Sequence, residues 1–309
     1  MAVLATSNIT LPKNIADGMF SKAQTGSAVA ALSGAEPQKF GEVTHMTLTG
    51  RPRAEYVGEG ASKSSTNATF GTKIVSPHKV QVTQRFNEEV QWADEDYQLG
   101  ILQTLADEGG LALARALDLG VFHGINPLTG AVIASIVAGD RITSTTNSVE
   151  VLDGTGANAP LGSDLEIEAA AGLVISDGYV PNGIAFDPTY AWTTATARYP
   201  DGRKKYPELG LGVDVSTFEG LRASTSSTVS GVPEAAVATN VKAIVGDWSL
   251  LRWGVQRRIP VELIKYGDPD NQGDLKRMNQ IALRLEVVYG WGIMDLDGFA
   301  KIVNAVNEA

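Results

Sequence analysis

The sequence predicts an α+β fold in which extended appendages leave a body of mixed helices and strands. Residues 1–77 are polar and carry few large apolar side chains, as arms and long hairpins do. A leucine stripe that follows Asp94 predicts one long amphipathic helix, and apolar residues near the C-terminus alternate as in half-buried strands. The chain therefore combines helical and β regions with an extended N-terminal part.

Composition excludes several classes of protein. Of 309 residues, 43% are hydrophobic and 19% are charged, which is ordinary for a globular chain. The absence of cysteine excludes disulfides, thiolate metal sites and a cysteine nucleophile. A net charge of −10 is the wrong sign for a protein that holds nucleic acid with its whole surface, so nucleic acid is at most enclosed. No apolar run approaches the roughly 20 residues that span a bilayer, and we expect no membrane association.

Residues 1–40 are predicted to form an N-terminal arm with one helical stretch. Pro12 suits the first turn of this helix, and Gly34 with Pro37 ends it. Its apolar residues are too few to build a core, so we expect the arm to lie on another surface.

Residues 41–77 are predicted to form a long hairpin. Extended stretches at Val43–Thr49, Arg53–Val57 and Phe70–Val75 surround the polar segment Gly58–Thr66. Because an isolated two-stranded hairpin is marginal in water, we expect this one to pack on a neighbouring subunit.

The body begins with a strand over residues 78–90. Asp94 is then predicted to cap one helix that continues to about Phe122, with a bend at Gly109-Gly110. Residues 125–160 are rich in glycine, threonine and asparagine and are predicted to be mostly loop.

Cap signals predict two further helices, and alternation predicts the remaining strands. Ser163 and Glu166 form a capping box that opens a helix to about Ser176, and Asp187-Pro188 opens another to about Arg198. The predicted strands are Val180–Phe186, Leu221–Val229, Val241–Gly246, Val255–Lys265, Asn279–Tyr289 and Phe299–Val303.

Residues that could carry chemistry are scattered. His45, His78 and His123 have no metal-ligand spacing and are predicted to be ordinary polar or loop histidines. Gly154–Ala159 fits a loose dinucleotide-loop pattern, but the predicted helix starts too late, which favours a surface turn. Asp268–Gly273 resembles half of a calcium loop whose final acid is missing. We therefore predict no catalytic residues, no metal and no cofactor.

Basic residues cluster at Arg203-Lys204-Lys205 and between Arg252 and Arg258. Solvated faces are the first interpretation, because exposed ion pairs contribute little to stability. Salt bridges between subunits, or weak contacts with enclosed DNA, are the alternative.

The order of the elements resembles the tailed-bacteriophage major capsid proteins of the Hong Kong 97 type over nearly the whole chain. An arm, a long hairpin, a strand, a spine helix, a mixed region and two long final strands follow in that order. Several short segments match the family's signatures: Ala54–Gly60 and Phe70 in the hairpin, Lys79–Glu89, Asp118–Gly124, Tyr199–Arg203, Phe218–Gly220, Gly246–Trp248 and Arg284–Phe299.

The resemblance implies a domain organisation. It assigns residues 1–40 to the N-arm, 41–77 to the E-loop, 78–124 with 250–295 to the peripheral domain, and 125–249 with 296–309 to the axial domain.

The resemblance also implies a structural function and not an enzymatic one. Such proteins assemble as hexamers and pentamers into an icosahedral shell around double-stranded DNA, which they hold without sequence specificity. No fused scaffolding segment is expected before the arm, so a separate scaffold protein, or none, is implied. A portal and a decoration protein are the other implied partners. The implied location is the virion capsid, assembled in the host bacterial cytoplasm.

Some relatives cross-link a hairpin lysine to an asparagine of a neighbouring subunit, and Lys63 and Asn271 occupy suitable places for such a pair. Those relatives use a glutamate shortly after the asparagine as a proton acceptor. Here Met278 and its neighbours are not acidic, and Glu286 is far along the chain. We therefore expect a non-covalent shell.

Two alternatives remain open on the sequence. An encapsulin-like nanocompartment shell of the same fold would enclose enzyme cargo, whereas a phage capsid encloses DNA. A hydrolase on an α+β fold would need a catalytic constellation, and none is visible in the sequence.

Overall fold

Two sheets and a long helix organise the molecule. The computed structural model describes residues 26–50, 52–97, 100–151, 163–199, 201–207, 209 and 215–304. Within them the helices are α1 Ala28–Leu32, α2 Glu88–Tyr97, α3 Ile101–His123, α4 Ser163–Ser176 and α5 Pro188–Thr196. The strands are β1 Val43–Gly50, β2 Thr69–Asn87, β3 Ser148–Val151, β4 Gly183–Phe186, β5 Thr217–Phe218, β6 Leu221–Thr225, β7 Val241–Gly246, β8 Leu251–Ile264, β9 Gln280–Ile293 and β10 Phe299–Asn304.

The first sheet is antiparallel and has the order β1-β2-β9-β8. The 19-residue strand β2 belongs to two pairings in succession. Its outer part, 69–75, pairs with β1, and its inner part, 76–87, pairs with β9. The β1–β2 hairpin therefore projects from the body as a two-stranded ribbon.

Helix α3 packs across this sheet through small residues that let the layers approach. Gly109 lies under Leu285, where an added Cβ would come within 2.5 Å of that side chain, and Gly120 lies under the indole of Trp291. The predicted alternation of β9 is confirmed, because Leu283, Leu285 and their odd-numbered neighbours are buried in this core. The sequence interpretation assigned a helix bend to Gly109. The structure gives this residue a packing role, because the close approach of helix and sheet leaves no room for a side chain.

The second sheet is mixed and has the order β3-β10-β7-β4-β6-β5. Strand β10 pairs parallel to β3 and antiparallel to β7. The second sheet has a core of its own, which includes Ile167 and Val174 of α4, Tyr190 of α5, and Phe186 of β4. The last strand thus returns to the second sheet after β8 and β9 have completed the first.

Both predicted helices that border the second sheet are confirmed at their N-termini. Asp187 caps α5 by accepting the Thr189 N–H at 2.9 Å, with Pro188 in the first turn. Helix α4 starts at Ser163, but the Glu166 carboxylate accepts the Tyr190 hydroxyl at 2.5 Å. That side chain therefore joins the two helices, a contact that the capping-box interpretation did not include.

The single helix predicted from Asp94 to Phe122 is wrong, because two helices occupy this stretch. Gly100 adopts a left-handed conformation with φ 69° between α2 and α3. Asp94 does cap a helix, but from the body of α2: its carboxylate accepts the Ile101 N–H at 2.8 Å and the Leu102 N–H at 3.4 Å. The cap signal at Asp94 was correct in kind, but it caps the helix after Gly100, where the left-handed backbone interrupts the predicted single helix.

The hairpin prediction needs two corrections. Arg53–Val57 is not a strand, because residues 52–68 have no regular secondary structure apart from the turn at Glu59-Gly60. Phe70–Val75 and the strand predicted from residue 78 are one continuous strand, which ends where α2 begins at Glu88. Among the described residues, the hydrogen-bond ladder between β1 and β2 ends at the pair Gly50↔Thr69.

The expectation that the arm lies elsewhere is wrong for residues 26–41, which pack on their own subunit. Ala28, Val29 and Leu32 of α1 are buried in the main core. The predicted start of the arm helix at Pro12 and the predicted turn Gly154–Ala159 lie outside the described residues. No helix in the described ranges is both long enough and apolar enough to cross a membrane.

Candidate assembly surfaces

One face of the β1–β2 ribbon is an exposed apolar surface. The cross-strand pairs Thr44↔Ile74 and Met46↔Thr72 place their side chains on it. Met46 is 73% exposed, Phe70 64% and Ile74 50%, although all three are large hydrophobic residues. We call Thr44, Met46, Phe70, Thr72 and Ile74 the outer face of the hairpin. An apolar face of this kind is typical of a surface that is covered by another molecule.

The distal part of the hairpin is entirely exposed from residue 52 to residue 70. Its two sides are joined where the Glu55 carboxylate accepts the N–H of Ser64 at 2.6 Å and its hydroxyl at 2.5 Å. These two bonds lower the pKa of Glu55. Tyr56 extends fully into solvent beside this link. The tip therefore has local structure but no contact surface within its own subunit that would bury it.

The start of the described arm is held by one buried carboxylate. Asp118 of α3 accepts the Ala28 N–H at 2.9 Å, the Val29 N–H at 3.2 Å and the Thr228 hydroxyl at 2.9 Å, and it also accepts the Ser27 hydroxyl. Asp118 is fully buried. Burial raises its pKa, and the four donors oppose that rise. This carboxylate joins the arm, the spine helix and the loop that follows β6.

The rest of the arm follows strand β8. The Ser33 hydroxyl donates to the Leu251 carbonyl at 3.0 Å, and the Ser33 backbone carbonyl accepts the Trp253 indole N–H at 3.1 Å. Glu36 donates its N–H to the Trp253 carbonyl at 2.8 Å and pairs with Arg252. Arg222 donates to the carbonyls that end α1. These bonds fix the arm's path as far as the strand edge.

Two paired glycines make that path possible. Gly254 of β8 and Gly290 of β9 face each other across the strands. A Cβ on Gly254 would collide with the Glu36 carbonyl, and one on Gly290 would collide with Gln38. The arm therefore crosses the sheet where the absence of side chains leaves a track.

His123 and His78 have structural surroundings, whereas His45 lies on β1 of the ribbon. His123, at the end of α3, is buried, and its Nε2 lies 2.9 Å from the Val229 carbonyl and 3.2 Å from that of Thr228. Burial lowers its pKa, although both carbonyls favour the protonated form. His78 stacks on Trp291 with ring centroids 4.3 Å apart, and burial lowers its pKa too.

The half calcium loop is filled by an arginine. Arg85 of β2 pairs with Asp270 and with Asp268, and it donates to the Gly273 carbonyl at 3.0 Å. The Arg85 hydrogen bond lowers the pKa of Asp270. No cluster of three or more potential metal ligands is present among the described residues. The loop between β8 and β9 is thus a turn that the Arg85 guanidinium closes.

The two cross-link candidates, Lys63 and Asn271, are both exposed. Lys63 lies in the distal hairpin, and Asn271 has a left-handed backbone with φ 59° in the loop that Arg85 closes. Of the acids nearest to Asn271 in sequence, Asp268 and Asp270 are engaged with Arg85, and Asp274 accepts the Arg277 N–H at 2.9 Å. The structure of one subunit leaves the candidate pair a prediction.

Parts of both basic clusters are engaged within the subunit. Arg203 pairs with Asp201 at 2.6 Å, and Lys205 lies 6.0 Å from the ring centre of Tyr199. In the second cluster Arg252 pairs with Glu36, so part of that cluster serves the arm. A cleft of about 480 Å³ beside it is lined by residues 32–36, Arg222, Trp248 and Arg252, among others.

Sequence reasoning missed the roles of Asp118 and of the paired glycines. One signal was available for Asp118: an acid between Leu117 and Leu119 in a helix stretch with an apolar stripe must have a buried partner. The glycines had no such signal, because their partner is the arm.

Comparison with known proteins gives the family. The model described as "Phage capsid family" matches residues 7–304. A chain from Mycobacterium phage Ogopogo has a TM-score of 0.81 and 53% identity, and covers 90% of this chain and 92% of that one. A chain from Gordonia phage Cozz has a TM-score of 0.77 and 32% identity, with 91% and 87% covered. The "Probable major capsid protein gp17" of Mycobacterium phage D29 is 23% identical over 286 residues, 87% of this chain and 85% of that protein.

The fold is therefore that of a shell-forming structural protein of the Hong Kong 97 type. The chain belongs to the phage capsid family. This family is a structural class and not an enzyme class, and the nanocompartment alternative is not favoured.

Proposed function

We propose that this major capsid protein assembles as hexamers and pentamers into an icosahedral shell that encloses double-stranded DNA. The observation that carries this proposal is the hairpin, whose outer face and whole distal part are exposed in the single subunit. Burying Met46, Phe70 and Ile74 would contribute roughly 1.5–3 kcal/mol each if fully covered. Repeated at every subunit contact, such weak interfaces close a stable shell.

The two sheets support the proposed domains. The β1-β2-β9-β8 sheet with α3 fits a peripheral domain of 78–124 and 250–295, from which the E-loop, 41–77, projects. The second sheet contains β10, which fits an axial domain of 125–249 and 296–309. The N-arm, 1–40, would then run over the first sheet in its described part.

The partners are proposed from the family resemblance. A separate scaffold protein, a portal and a decoration protein would accompany assembly in the host cytoplasm, and DNA would be enclosed without sequence specificity. The net charge of −10 fits this role, because it limits collapse of the shell onto the packaged DNA. No enzymatic activity is proposed.

The shell is proposed to be non-covalent, with Lys63 and Asn271 as the only cross-link candidates we name. Particles boiled in detergent should then run as a single 32.6 kDa band. A ladder of multiples that disappears in Lys63→Arg would contradict this.

Electron microscopy of negatively stained particles tests the assembly function. We expect wild-type chain, expressed with its phage partners, to form closed shells. Met46→Asp combined with Ile74→Asp should leave a folded subunit that does not close shells, because it charges the outer face. Val180→Asp combined with Val237→Asp, at two exposed apolar positions outside the hairpin, adds the same two charges and is the matched control. Normal shells from the double variant would contradict the proposal.

A further inference from the structure

We propose that Lys73 is the positioning residue of the hairpin: its link to Gly139 and Asp140 fixes the angle at which the hairpin leaves the subunit for its neighbour. This inference rests on the proposed assembly function. The side chain lies on β2, and its Nζ is 2.8 Å from the Asp140 carboxylate and 2.9 Å from the Gly139 carbonyl. It therefore ties the ribbon to a short 3-10 helix, Ala138–Asp140, which belongs to the body.

The position of Lys73 along β2 makes it a pivot. Followed from the body toward the hairpin tip, the last pair between β2 and β9 is Ser76↔Trp291. Lys73 lies three residues further toward the tip. Val75, between them, is fully buried. Beyond Lys73 every residue of the distal part, 52–70, is exposed. The ion pair thus lies where the ribbon changes from a supported to an unsupported element.

The receiving side of the pair is held rigidly. The Asp140 carbonyl accepts the Trp291 indole N–H at 3.1 Å, and His78 stacks on the same indole. Trp291 is itself packed against Gly120 of α3. The Lys73 ammonium therefore attaches the ribbon to a fixed point of the main core and not to a flexible loop.

Leverage makes this contact matter for assembly. Gly60, in the turn at the hairpin tip, lies at most about 40 Å from Lys73 along an extended chain. A rotation of about 10° at the pivot would then displace the tip by roughly 7 Å, more than one strand spacing. An ion pair whose side chains are only 24% and 17% exposed restricts that rotation better than a surface pair.

Strand β2 offers a matched control. Lys79 lies on the same strand, within the body sheet, and pairs with Glu286 of β9 at 2.9 Å. The Lys79 side chain is 57% exposed. Lys73→Met and Lys79→Met remove the same charge from the two places, and each keeps an apolar stem. Lys73→Arg retains the charge and serves as the conservative variant.

Spin labels can measure the hairpin angle directly, because the chain contains no cysteine. Labels at Ser62→Cys on the hairpin and Gln81→Cys on the body would report their distance distribution in unassembled subunits. We expect Lys73→Met to broaden this distribution about twofold and to lower the yield of closed, uniform particles at least fivefold. Lys73→Arg and Lys79→Met should match the wild type in both measurements.

The outcomes separate the two proposals. An unchanged distance distribution in Lys73→Met, or equal broadening in Lys79→Met, would overturn the role of Lys73 while wild-type shells uphold the assembly function. Broadening in Lys73→Met together with no shells from the wild-type chain would overturn the assembly function and leave the anchor supported. A loss of thermal stability in Lys73→Met without broadening would assign Lys73 a purely structural role and overturn the inference.

Discussion

Replacing Asp118 tests how the arm is held on the spine helix. Asp118→Ala removes the acceptor of two backbone N–H groups, at Ala28 and Val29, and of two hydroxyl groups, at Ser27 and Thr228. The hydroxyls can rotate toward other acceptors, but the N–H groups at the start of α1 cannot. Each buried donor left without an acceptor costs about 1–3 kcal/mol. A water molecule in the vacated space would recover part of this cost.

We therefore expect Asp118→Ala to lower the free energy of unfolding by about 3 kcal/mol, from the 5–15 kcal/mol typical of folded proteins. Asp118→Asn keeps one acceptor oxygen and should lose about half as much. Urea unfolding gives both values, and hydrogen exchange should show lost protection at Ala28 and Val29 before any loss in β9. The reasoning is refuted if Asp118→Ala stays within about 0.5 kcal/mol of the wild type with both amides still protected.

Three further perturbations follow from the same contacts. Burial lowers the pKa of His123, so its contribution to stability is complete above the unfolded value of 6.5 and is lost as the pH falls below it. Between pH 7.5 and pH 5.5, the free energy of unfolding of His123→Gln should therefore fall by about 1 kcal/mol less than that of the wild type, as measured by thermal unfolding. An equal pH dependence of stability in the two proteins would contradict this. Gly254→Ala should destabilise by about 2 kcal/mol because its Cβ displaces the arm at Glu36, whereas Gly172→Ala in α4, with no atom near its added Cβ, should not; equal melting temperatures of the two variants would count against the glycine track. Arg85→Met should expose the β8–β9 loop to limited proteolysis, and a cleavage pattern like that of the wild type would show that the cation does not close it.

Local patterns were sufficient wherever one element decided its own structure. The alternation of β9, the Asp187-Pro188 cap and the start of α4 at Ser163 were all predicted, because side-chain period and capping depend on neighbours in sequence. The α+β class and the capsid resemblance followed from the order of such elements. The polar character of residues 41–77, with few large apolar side chains, likewise indicated a hairpin that its own subunit does not bury.

What the sequence determined by itself is the set of elements, their order and the acidic, cysteine-free surface. Only the tertiary structure decided that Asp94 caps the next helix, that Arg85 fills the acidic loop, and that Asp118 and Gly254 hold the arm. The partners in the last two contacts are 90 and 218 residues apart in sequence. Periodicity carries no information over such separations, because the contact exists only after both sheets and the spine helix have packed.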